Sequence, residues 1–489
     1  MSLRYWSCIA ALSVVAKGFT GEAQVTLAPP PEVRSQNHIA SLTLHAALNI
    51  SGRDAFAYEG KSIAPLIRVS PGDTLKIDYV NDLPIHPKET CAISPCMDMT
   101  NLHFHGLEIS PLTPQDDVID MMAVPGETLH YLVQIPADHP PGLFWYHTHP
   151  HGESHRQALD GMSGAIVIEG MDRYLPEVRT LREQVFVVRG ESIEHGLDAN
   201  ALLHRVEAQA PSCGNEPGEI NRILTVNDEV RPTININPGE RQFWRIVNAS
   251  ADRYMDLQID GQKFEVVALD GMPLAYHEPK HPTKIVEHVL VPPAGRLEAI
   301  VTGPGASIHS AFRTRCVNTG PDGDPNPAMV LADVRPGSSA PLVKQVVNRD
   351  VRPAQYKQVD LRAYEVSRPD FVVSFTEDKN GFYINDQKYA PESAPMTRVR
   401  VGTYQHWRIL NKTRELHPMH IHQVHFLAYA ENGVPMKYPV WLDTVNVPTS
   451  GSVDVVMDFS NPVIKGMSVF HCHLLNHEDK GMMAKILFE

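Results

Sequence analysis

One short pattern occurs three times at wide, similar intervals, and it constrains the fold more than any other feature of the sequence. A turn at 71–73 precedes the alternating run Thr74–Asn81, which closes with an asparagine. Turns at 237–240 and 401–403 precede similar runs that close with Asn248 and Asn411. Alternation of apolar and polar residues is typical of a strand with one buried face. Its recurrence about every 165 residues predicts three related β domains, with chance recurrence of a common hairpin as the alternative.

The domains are predicted at 38–175, 180–345 and 355–489, and the chain of 489 residues is long enough for all three. The sequence has 40 prolines and 31 glycines between many short apolar runs, which favours an all-β fold. A formal net charge of −14 argues against binding to nucleic acid or to anionic lipid.

Residues 1–23 are predicted to be a secretory signal peptide. Arg4 precedes an apolar run from about Tyr5 to Ala16, and small and polar residues follow up to Ala23. A membrane anchor is the competing interpretation, but the run is too short to span a bilayer. We therefore expect export, to a periplasm or out of the cell, and no membrane span in the mature chain.

Four His-x-His pairs indicate a metal cluster. On a strand, residues i and i+2 lie on one face, so each pair presents two imidazoles side by side. One such pair is weak evidence, but chance does not account for four pairs confined to two regions. Eight imidazoles suit several borderline metal ions such as copper. The pairs are His103/His105, His147/His149, His420/His422 and His471/His473.

The stretch HCHLLNHEDKGM, which begins at His471, carries donors of a second kind. Cys472 is predicted to face away from His471 and His473, because these three residues end a strand. His477 and Met482 follow in the same stretch. A blue copper centre needs two histidines, one cysteine and a weak axial methionine, so one histidine is still missing.

The same parity argument singles out His417 in the motif HPMHIH. It lies three residues before His420, so its side chain is expected to face away from the pair and to supply the missing imidazole. The cluster pairs divide equally between the first and third domains, which predicts a cluster where these two domains meet. The second domain has only scattered histidines and is expected to be a structural spacer without a metal of its own.

The four histidine motifs resemble those of three-domain multicopper oxidases and occur in the same order. The similarity extends over essentially the whole predicted mature chain. It implies an all-β fold of three consecutive cupredoxin-like β-sandwich domains with Greek-key connections, and it implies four copper ions. Phe104 is a departure, since many relatives have Trp there, but this residue is not a ligand.

The resemblance also implies which residues bind which copper ion. One type 1 ion would be held by His417, Cys472, His477 and axial Met482. One type 2 ion would be held by His103 and His420. Two type 3 ions would be held by His105, His147, His149, His422, His471 and His473.

Three carboxylates are candidates for handling protons or orienting ligands. Asp116 lies after the first motif, where the family has an acid near the cluster, and Asp117 is the neighbouring alternative. Glu478 follows His477 and resembles the proton-relay acid of bacterial members. Asp443 resembles an acid that hydrogen-bonds a type 1 histidine. For each of them the alternative is a solvated surface carboxylate.

Five cysteines remain after the predicted cleavage, and one of them, Cys472, is assigned to copper. The other four are an even number in an exported chain, which suggests disulfides. Cys91 with Cys96 is the favoured pair, since both lie in one short loop, and Cys213 with Cys316 would follow. Free buried thiols are the alternative, because sequence alone does not establish connectivity.

The resemblance implies an oxidase that reduces dioxygen, whereas the electron donor is argued from composition. Copper-tolerance relatives often carry a methionine-rich insertion, but the 17 methionines here are spread thinly and none lies at 330–395. We therefore expect a monomeric, laccase-like enzyme acting on phenols or aromatic amines, with oxidation of Cu(I) or another metal ion as the alternative. A two-domain nitrite reductase would lack this full set of pairs, and a non-catalytic scaffold would be expected to have lost ligands.

Overall fold

The computed structural model describes residues 25–85, 98–192, 222–305, 310–337, 353–365 and 368–489. The predicted signal peptide at 1–23 lies outside these ranges, as do Cys91, Cys96 and Cys213. Both the export and the disulfide pairing therefore stay predictions. Within the described part, Cys316 is disulfide-bonded and Cys472 is a free, buried thiol.

The first part of the chain forms two sheets that enclose one apolar core, which we call the first sandwich. One sheet has the strand order β1-β4-β9-β8-β6 and the other β3-β2-β5-β7. Tyr79 and Phe104, from opposite sheets, share the core between them. The strands are β1 (Glu32–Arg34), β2 (Ile39–Leu48), β3 (Asp54–Ala57), β4 (Leu66–Val69), β5 (Thr74–Asn81), β6 (His103–His105), β7 (Thr128–Gln134), β8 (Gly142–His147) and β9 (Ser163–Ile168).

The second sandwich has a larger sheet ordered β12-β11-β10-β14-β20-β16-β17, with β18 also paired to β16, and a smaller sheet ordered β13-β22-β21-β15-β19. Trp244 and Phe312 meet in the core between the two sheets. The strands are β10 (Arg182–Ser192), β11 (Arg222–Val226), β12 (Glu229–Val230), β13 (Thr233–Asn235), β14 (Arg241–Asn248), β15 (Met255–Ile259), β16 (Phe264–Leu269), β17 (Met272–Pro273), β18 (Lys284–Val286), β19 (His288–Val291), β20 (Arg296–Thr302), β21 (Ser310–Arg315) and β22 (Met329–Arg335).

The third sandwich combines the sheets β24-β23-β26-β31-β28-β29 and β25-β33-β32-β27-β30. Its core includes Trp407 and Phe470, and also the side chains of Cys472 and Met482. The strands are β23 (Phe371–Asp378), β24 (Gly381–Ile384), β25 (Thr397–Val399), β26 (Thr403–Asn411), β27 (His417–Ile421), β28 (Phe426–Glu431), β29 (Val434–Leu442), β30 (Thr444–Val447), β31 (Ser452–Phe459), β32 (Gly466–Cys472) and β33 (Met483–Phe488).

Few helices accompany the sheets in the described ranges. The α-helices are α1 (Ser154–Leu159), α2 (Arg362–Glu365) and α3 (Leu475–Asp479), and the 3-10 turns are Met171–Arg173, Pro176–Arg179, Leu274–Tyr276 and Pro462–Ile464. None of the described helices has the length and apolar character needed to cross a lipid bilayer. The predicted all-β fold is confirmed, whereas the domain boundaries proposed from sequence stay predictions.

The repeated sequence pattern occupies the same place in all three sandwiches. Strands β5, β14 and β26 each pair in parallel with an earlier strand and antiparallel with a later one. The closing residues Asn81, Asn248 and Asn411 are buried. Each amide oxygen accepts the backbone N–H two residues on, and each amide nitrogen donates to two backbone carbonyls. A buried asparagine that satisfies the loop backbone in this way explains why the pattern always ends in Asn.

Candidate metal centres

Two pairs of neighbouring strands bring the eight cluster histidines together. In the first sandwich β6 lies beside β8, with His103 opposite His147. In the third sandwich β27 lies beside β32, with His420 opposite His471. These two strand pairs face each other across the boundary between the sandwiches, and each of the eight imidazoles is at most 2 % exposed. The predicted meeting of the four motifs is therefore present in the structure.

Ring nitrogens of these histidines fall into three groups of three, two of which share His105. Within each group the ligand atoms all lie within 4.8 Å of one another. The groups are His103/His105/His420, His105/His147/His473 and His149/His422/His471.

The nitrogen spacing fits metal coordination. His471 Nε2 lies 3.1 Å from His422 Nε2 and 3.3 Å from His149 Nε2. Three nitrogens held about 2.0 Å from one shared ion would lie about 3.3–3.5 Å apart. Within the described residues, several other buried ring nitrogens have no hydrogen-bond partner, as expected of atoms reserved for a metal. These are His103 Nε2, His105 Nδ1, His147 Nε2, His420 Nε2, His422 Nδ1 and both ring nitrogens of His473.

Burial keeps the imidazoles in the neutral form that binds metal ions. It lowers the pKa of His147 to about 3 and that of His149 to about 4. Hydrogen bonds at the opposite ring nitrogen fix several of the rings. His147 Nδ1 lies 2.9 Å from the Thr148 carbonyl oxygen, and His471 Nδ1 lies 3.0 Å from that of Cys472.

A second group of donors lies inside the core of the third sandwich. Cys472 Sγ is 3.3 Å from His417 Nδ1 and 4.0 Å from His477 Nδ1. Met482 is fully buried in the same core, and its backbone bonds both Cys472 and His477. His417 Nε2 is held by the Thr413 hydroxyl at 2.8 Å. Cys472 therefore faces away from His471 and His473, as strand parity predicts.

This second group suits a soft, thiophilic metal ion. Burial raises the pKa of the Cys472 thiol, so a thiolate is stable here only beside a cation. Two histidine nitrogens, one sulfur and a nearby methionine are the donor set of a blue copper centre. The chemistry of the donors present therefore fits copper.

Asp116 lies beside the histidine cluster, as predicted. Its carboxylate oxygens are 3.0 and 3.1 Å from His103 Nδ1. It also accepts the Phe104 N–H and the side-chain amide of Gln423. Burial raises the pKa of Asp116 to about 7. The alternative, Asp117, is turned toward its own loop, where it accepts the Thr113 hydroxyl.

Glu478 also lies against the cluster and is fully buried. One carboxylate oxygen is 3.0 Å from His471 Nδ1 and the other is 3.6 Å from His149 Nε2. Burial by itself would raise the pKa of Glu478, but its close electrostatic contacts with His149 and His471 outweigh burial and hold the pKa below its usual value. The surface-carboxylate alternative is excluded for this residue by its burial.

The position of Asp443 corrects the sequence prediction. Instead of contacting a type 1 histidine, its carboxylate lies 3.2 Å from His105 Nε2, and its carbonyl oxygen lies 2.9 Å from His420 Nδ1. Both are cluster histidines. The prediction failed because Asp443 directly precedes β30, whose Thr444 lies opposite His420 of β27.

Two residues that bind the carboxylates beside the cluster were not identified from the sequence. Gln423, directly after the HPMHIH motif, has a positive φ of 59° and bridges Asp116 to Ser468. Its position directly after a histidine motif could have identified it from the sequence. Arg296 of β20 forms a buried ion pair with Asp443, and nothing in the local sequence marks it.

A small pocket that is open to solvent lies beside His477, between the second and third sandwiches. His477 is 8 % exposed, whereas His417, Cys472 and Met482 are fully buried. The lining is rich in acidic and polar groups and consists of Asp252, Tyr254, Thr319, Asp324, Asn326, Glu415, Leu416, Leu474, Asn476 and His477.

Known proteins that are similar to this chain include multicopper oxidases and laccases. Three family profiles described as multicopper oxidase match residues 43–173, 144–316 and 357–489. The multicopper oxidase mco of Staphylococcus aureus is 23 % identical over 443 residues, covering 88 % of this chain and 83 % of that protein. A laccase of Bacillus subtilis is 24 % identical over 481 residues, covering 88 % and 89 %.

Among solved structures, the fold is similar to that of a multicopper oxidase from Campylobacter jejuni that is described as a metallo-oxidase. The TM-score is 0.71 at 23 % identity, covering 95 % of this chain and 96 % of that one. The family profiles agree with the three-sandwich fold, the histidine cluster and the buried thiol. The chain belongs to the multicopper oxidase family and is an oxidoreductase.

Proposed function

We propose that this oxidase takes electrons one at a time from a small donor at the Cys472 site and uses them to reduce dioxygen to water at the histidine cluster. The observation that carries the proposal is the continuity of His471, Cys472 and His473. Cys472 faces the core of the third sandwich, while both of its neighbours belong to the cluster. His471 Nδ1 also bonds the Cys472 carbonyl oxygen at 3.0 Å, which adds a second connection.

Four copper ions complete the proposed enzyme. The groups of ring nitrogens support the predicted ligands: His103 and His420 occur together in one group, and the predicted type 3 ligands form the other two. His417, Cys472 and His477 form a further group, with Met482 adjacent. Copper bound there would supply one-electron redox chemistry at the thiolate and would bind and reduce dioxygen at the cluster.

Two carboxylates are proposed to serve the protons that dioxygen reduction consumes. Asp116 has a pKa of about 7, so near neutral pH its carboxyl group, which contacts His103, can hold or release a proton. The Glu478 carboxylate lies 3.0 Å from His471 Nδ1, where it would help to orient that ring. The two acids lie against different histidines of the cluster and therefore serve different sides of it.

The donor is proposed to bind in the pocket beside His477, and the charge of this pocket favours a cation. Glu415 Oε1 lies 3.3 Å from His477 Nε2. Burial, together with the neighbouring carboxylates Glu377 and Asp324, raises the pKa of Glu415 to about 8. Carboxylates that suppress one another's ionisation mark a site where a cation would be stabilised. This charge favours metal ions such as Cu(I) or Fe(II), and cationic aromatic amines, as donors.

Neutral phenols are the second candidate; together with aromatic amines they are the laccase-like donors expected from sequence. Leu416 and Leu474 give the pocket an apolar part. The Phe382 ring stacks on His477 at 3.8 Å between centroids, so an aromatic surface adjoins the electron entry point. Both donor classes are represented among the related proteins, in the Bacillus laccase and the Campylobacter metallo-oxidase.

Oxygen uptake by copper-loaded protein tests the proposal with four donors: Cu(I), Fe(II), a cationic aromatic amine and a neutral phenol. We expect uptake with the cations and a lower KM for them than for the phenol. Asp324→Asn should raise the KM for cations about two- to five-fold, because one pocket charge is worth about 0.5–1 kcal/mol, and should leave the phenol unaffected.

Asp360→Asn, at an exposed carboxylate outside the pocket, is the control and should change neither KM. Equal KM changes for cations and phenol in Asp324→Asn would contradict the assigned donor class. No oxygen uptake with any donor at full copper occupancy would contradict the proposed function itself.

A further inference from the structure

The second sandwich reaches the histidine cluster through one buried arginine. Arg296 begins β20 and is 1 % exposed. Its guanidinium donates to both carboxylate oxygens of Asp443, one of them at 2.8 Å, in a fork-to-fork pair. Asp443 in turn contacts His105 Nε2 of the first sandwich and, through its carbonyl, His420 Nδ1 of the third.

Further contacts hold the arginine in place. Its Nε donates to the Leu143 carbonyl of the first sandwich, and its Nη atoms donate to the carbonyls of Ala294 and Asp270 in the second. The Asp270 carboxylate accepts the Arg296 N–H at 2.9 Å. The same carboxylate accepts the N–H groups of Asp443 and Thr444, at 3.3 and 3.2 Å. Arg296 therefore contacts all three sandwiches at one point.

The chain leaves space for this ion pair at a glycine of the first histidine motif. A Cβ atom on Gly106 would lie 2.5 Å from Arg296 Nη2 and 2.5 Å from Asp443 Oδ2. Gly106 follows His105 directly and has a positive φ of 83°. The ion pair thus packs directly against the backbone next to His105. This contact is a second link between Arg296 and the position of that histidine.

This arrangement would hold two histidines of the cluster, His105 and His420. His105 and His420 stack with 3.8 Å between ring centroids and 16° between planes. Their nitrogens on the Asp443 side are hydrogen-bonded, whereas His105 Nδ1 and His420 Nε2 have no partner in the described part of the chain. Hydrogen bonds to His105 Nε2 and His420 Nδ1 leave the other nitrogen of each ring to face a metal.

We propose that Arg296, supported by Asp270, is a positioning residue for copper binding: it locks Asp443 so that His105 and His420, from two different sandwiches, present fixed nitrogens to the cluster. The second sandwich is then more than a spacer, although none of the metal-ligand groups described above lies within it. This inference rests on the proposed copper sites.

Arg296→Lys tests the proposal, because it keeps the positive charge but loses the planar fork. The readouts are copper retention against a chelator, the electron paramagnetic resonance signal of type 2 copper, the type 3 absorption and the type 1 blue band. We expect about 10- to 100-fold weaker retention at the type 2 and type 3 sites, with the type 1 band preserved. Thermal unfolding of the metal-free variant is measured in parallel.

Arg245→Lys is the matched control. Arg245 is 3 % exposed, lies in the same sheet and pairs with Glu183 and Glu298, but it contacts none of the cluster histidines. We expect this variant to lower the unfolding temperature without selective loss of type 2 and type 3 copper. Equal losses in the two variants, or unchanged retention in Arg296→Lys, would overturn the positioning role.

Asp270→Asn is a second variant that decides the question if Arg296→Lys does not fold. It should show the same selective pattern with a smaller loss, and wild-type retention in it would overturn the inference. The absence of every copper signal in the unmodified, copper-loaded protein would instead overturn the proposed function, and the inference with it.

Discussion

At the scale of single residues, the two nitrogens of several cluster histidines differ in their partners. In His103, Nδ1 faces the Asp116 carboxylate and Nε2 has no partner in the described residues. In His147, Nδ1 bonds a backbone carbonyl and Nε2 is likewise without a partner there. Buried polar atoms are rarely left unsatisfied without a reason. This asymmetry is expected of metal ligands, whereas a core of buried histidines would use both nitrogens in hydrogen bonds.

The two sites are separable by single substitutions. We expect Cys472→Ser to abolish the blue thiolate band and oxidase activity, because the hydroxyl is a poor copper ligand, while the type 2 signal remains. His103→Ala should do the reverse, weakening type 2 retention and preserving the blue band. Optical and paramagnetic spectra of both copper-loaded variants check this. A blue band that survives in Cys472→Ser would refute the assignment of the thiol.

Gly106→Ala should be unusually costly for so small a change. The new methyl group would collide with the Arg296–Asp443 pair, in a backbone conformation that alanine rarely adopts. We expect a loss of about 2–4 kcal/mol in the free energy of unfolding. Gly126→Ala is the control, since Gly126 has a similar φ of 88° but nothing within 4 Å of the added atom. Urea unfolding should give only about 1 kcal/mol for it, and equal losses would contradict the steric argument.

At the scale of elements, parity along β32 and the turn into α3 assign the donors to their sites. Cys472 ends the strand with its side chain in the sandwich core, and α3 returns the chain so that His477 approaches the same sulfur. α3 also places Glu478 against His149 and His471. One short helix therefore supplies a donor to the thiolate site and a carboxylate to the cluster.

Asp479, in the same helix, is expected to stabilise the contact between α3 and α1. Its carboxylate accepts the N–H groups of Gly152, Ser154 and His155, at the start of α1, whose own preceding residue Glu153 provides no side-chain cap. Asp479→Ala should cost about 1–3 kcal/mol of unfolding free energy. Thermal unfolding of the metal-free protein measures this loss. Asp479→Asn keeps one oxygen acceptor and should lose less, so an equal loss would count against the capping role.

At the scale of the whole molecule, buried polar contacts join the three sandwiches around the cluster. Glu108 of the first sandwich contacts His425 of the third at 3.3 Å, and His425 also lies 3.6 Å from the Asp443 carboxylate. Arg296 adds the second sandwich to the same region. The cluster therefore depends on the relative placement of the sandwiches and not only on the strands that carry its ligands.

Glu108 gives this region a measurable pH dependence. Burial opposes ionisation, but the hydrogen bond and charge of His425 outweigh it and lower the pKa of Glu108 from 4.5 to about 2. A lowered carboxyl pKa stabilises the fold above pH 4.5, and this contribution is lost as the pH falls toward 2. Glu108→Gln should therefore cost about 1–3 kcal/mol at pH 6, and the difference should shrink below pH 4.5.

Denaturant unfolding of the metal-free protein at pH 6, 4.5 and 3.5 checks this expectation. Glu127→Gln, at an exposed glutamate of the first sandwich, is the control and should show no such pH dependence. A difference between Glu108→Gln and wild type that stays constant across the three pH values would contradict the assignment.

The sequence by itself determined the three β sandwiches, the four histidine pairs and the opposite facing of Cys472 and its neighbours. These follow from the alternation of side chains along single strands, which can be read from the sequence before the fold is known. Asp116 and Glu478 could be located because each is close in sequence to a ligand motif. The predicted partner of Asp443 was wrong, and Arg296 was not found at all, because their contacts join residues far apart in the chain. The same holds for the acidic pocket beside His477, whose charge is decided by carboxylates from two sandwiches. Only the packing of the sandwiches fixes which buried charges meet, since a charge far along the chain leaves no local pattern.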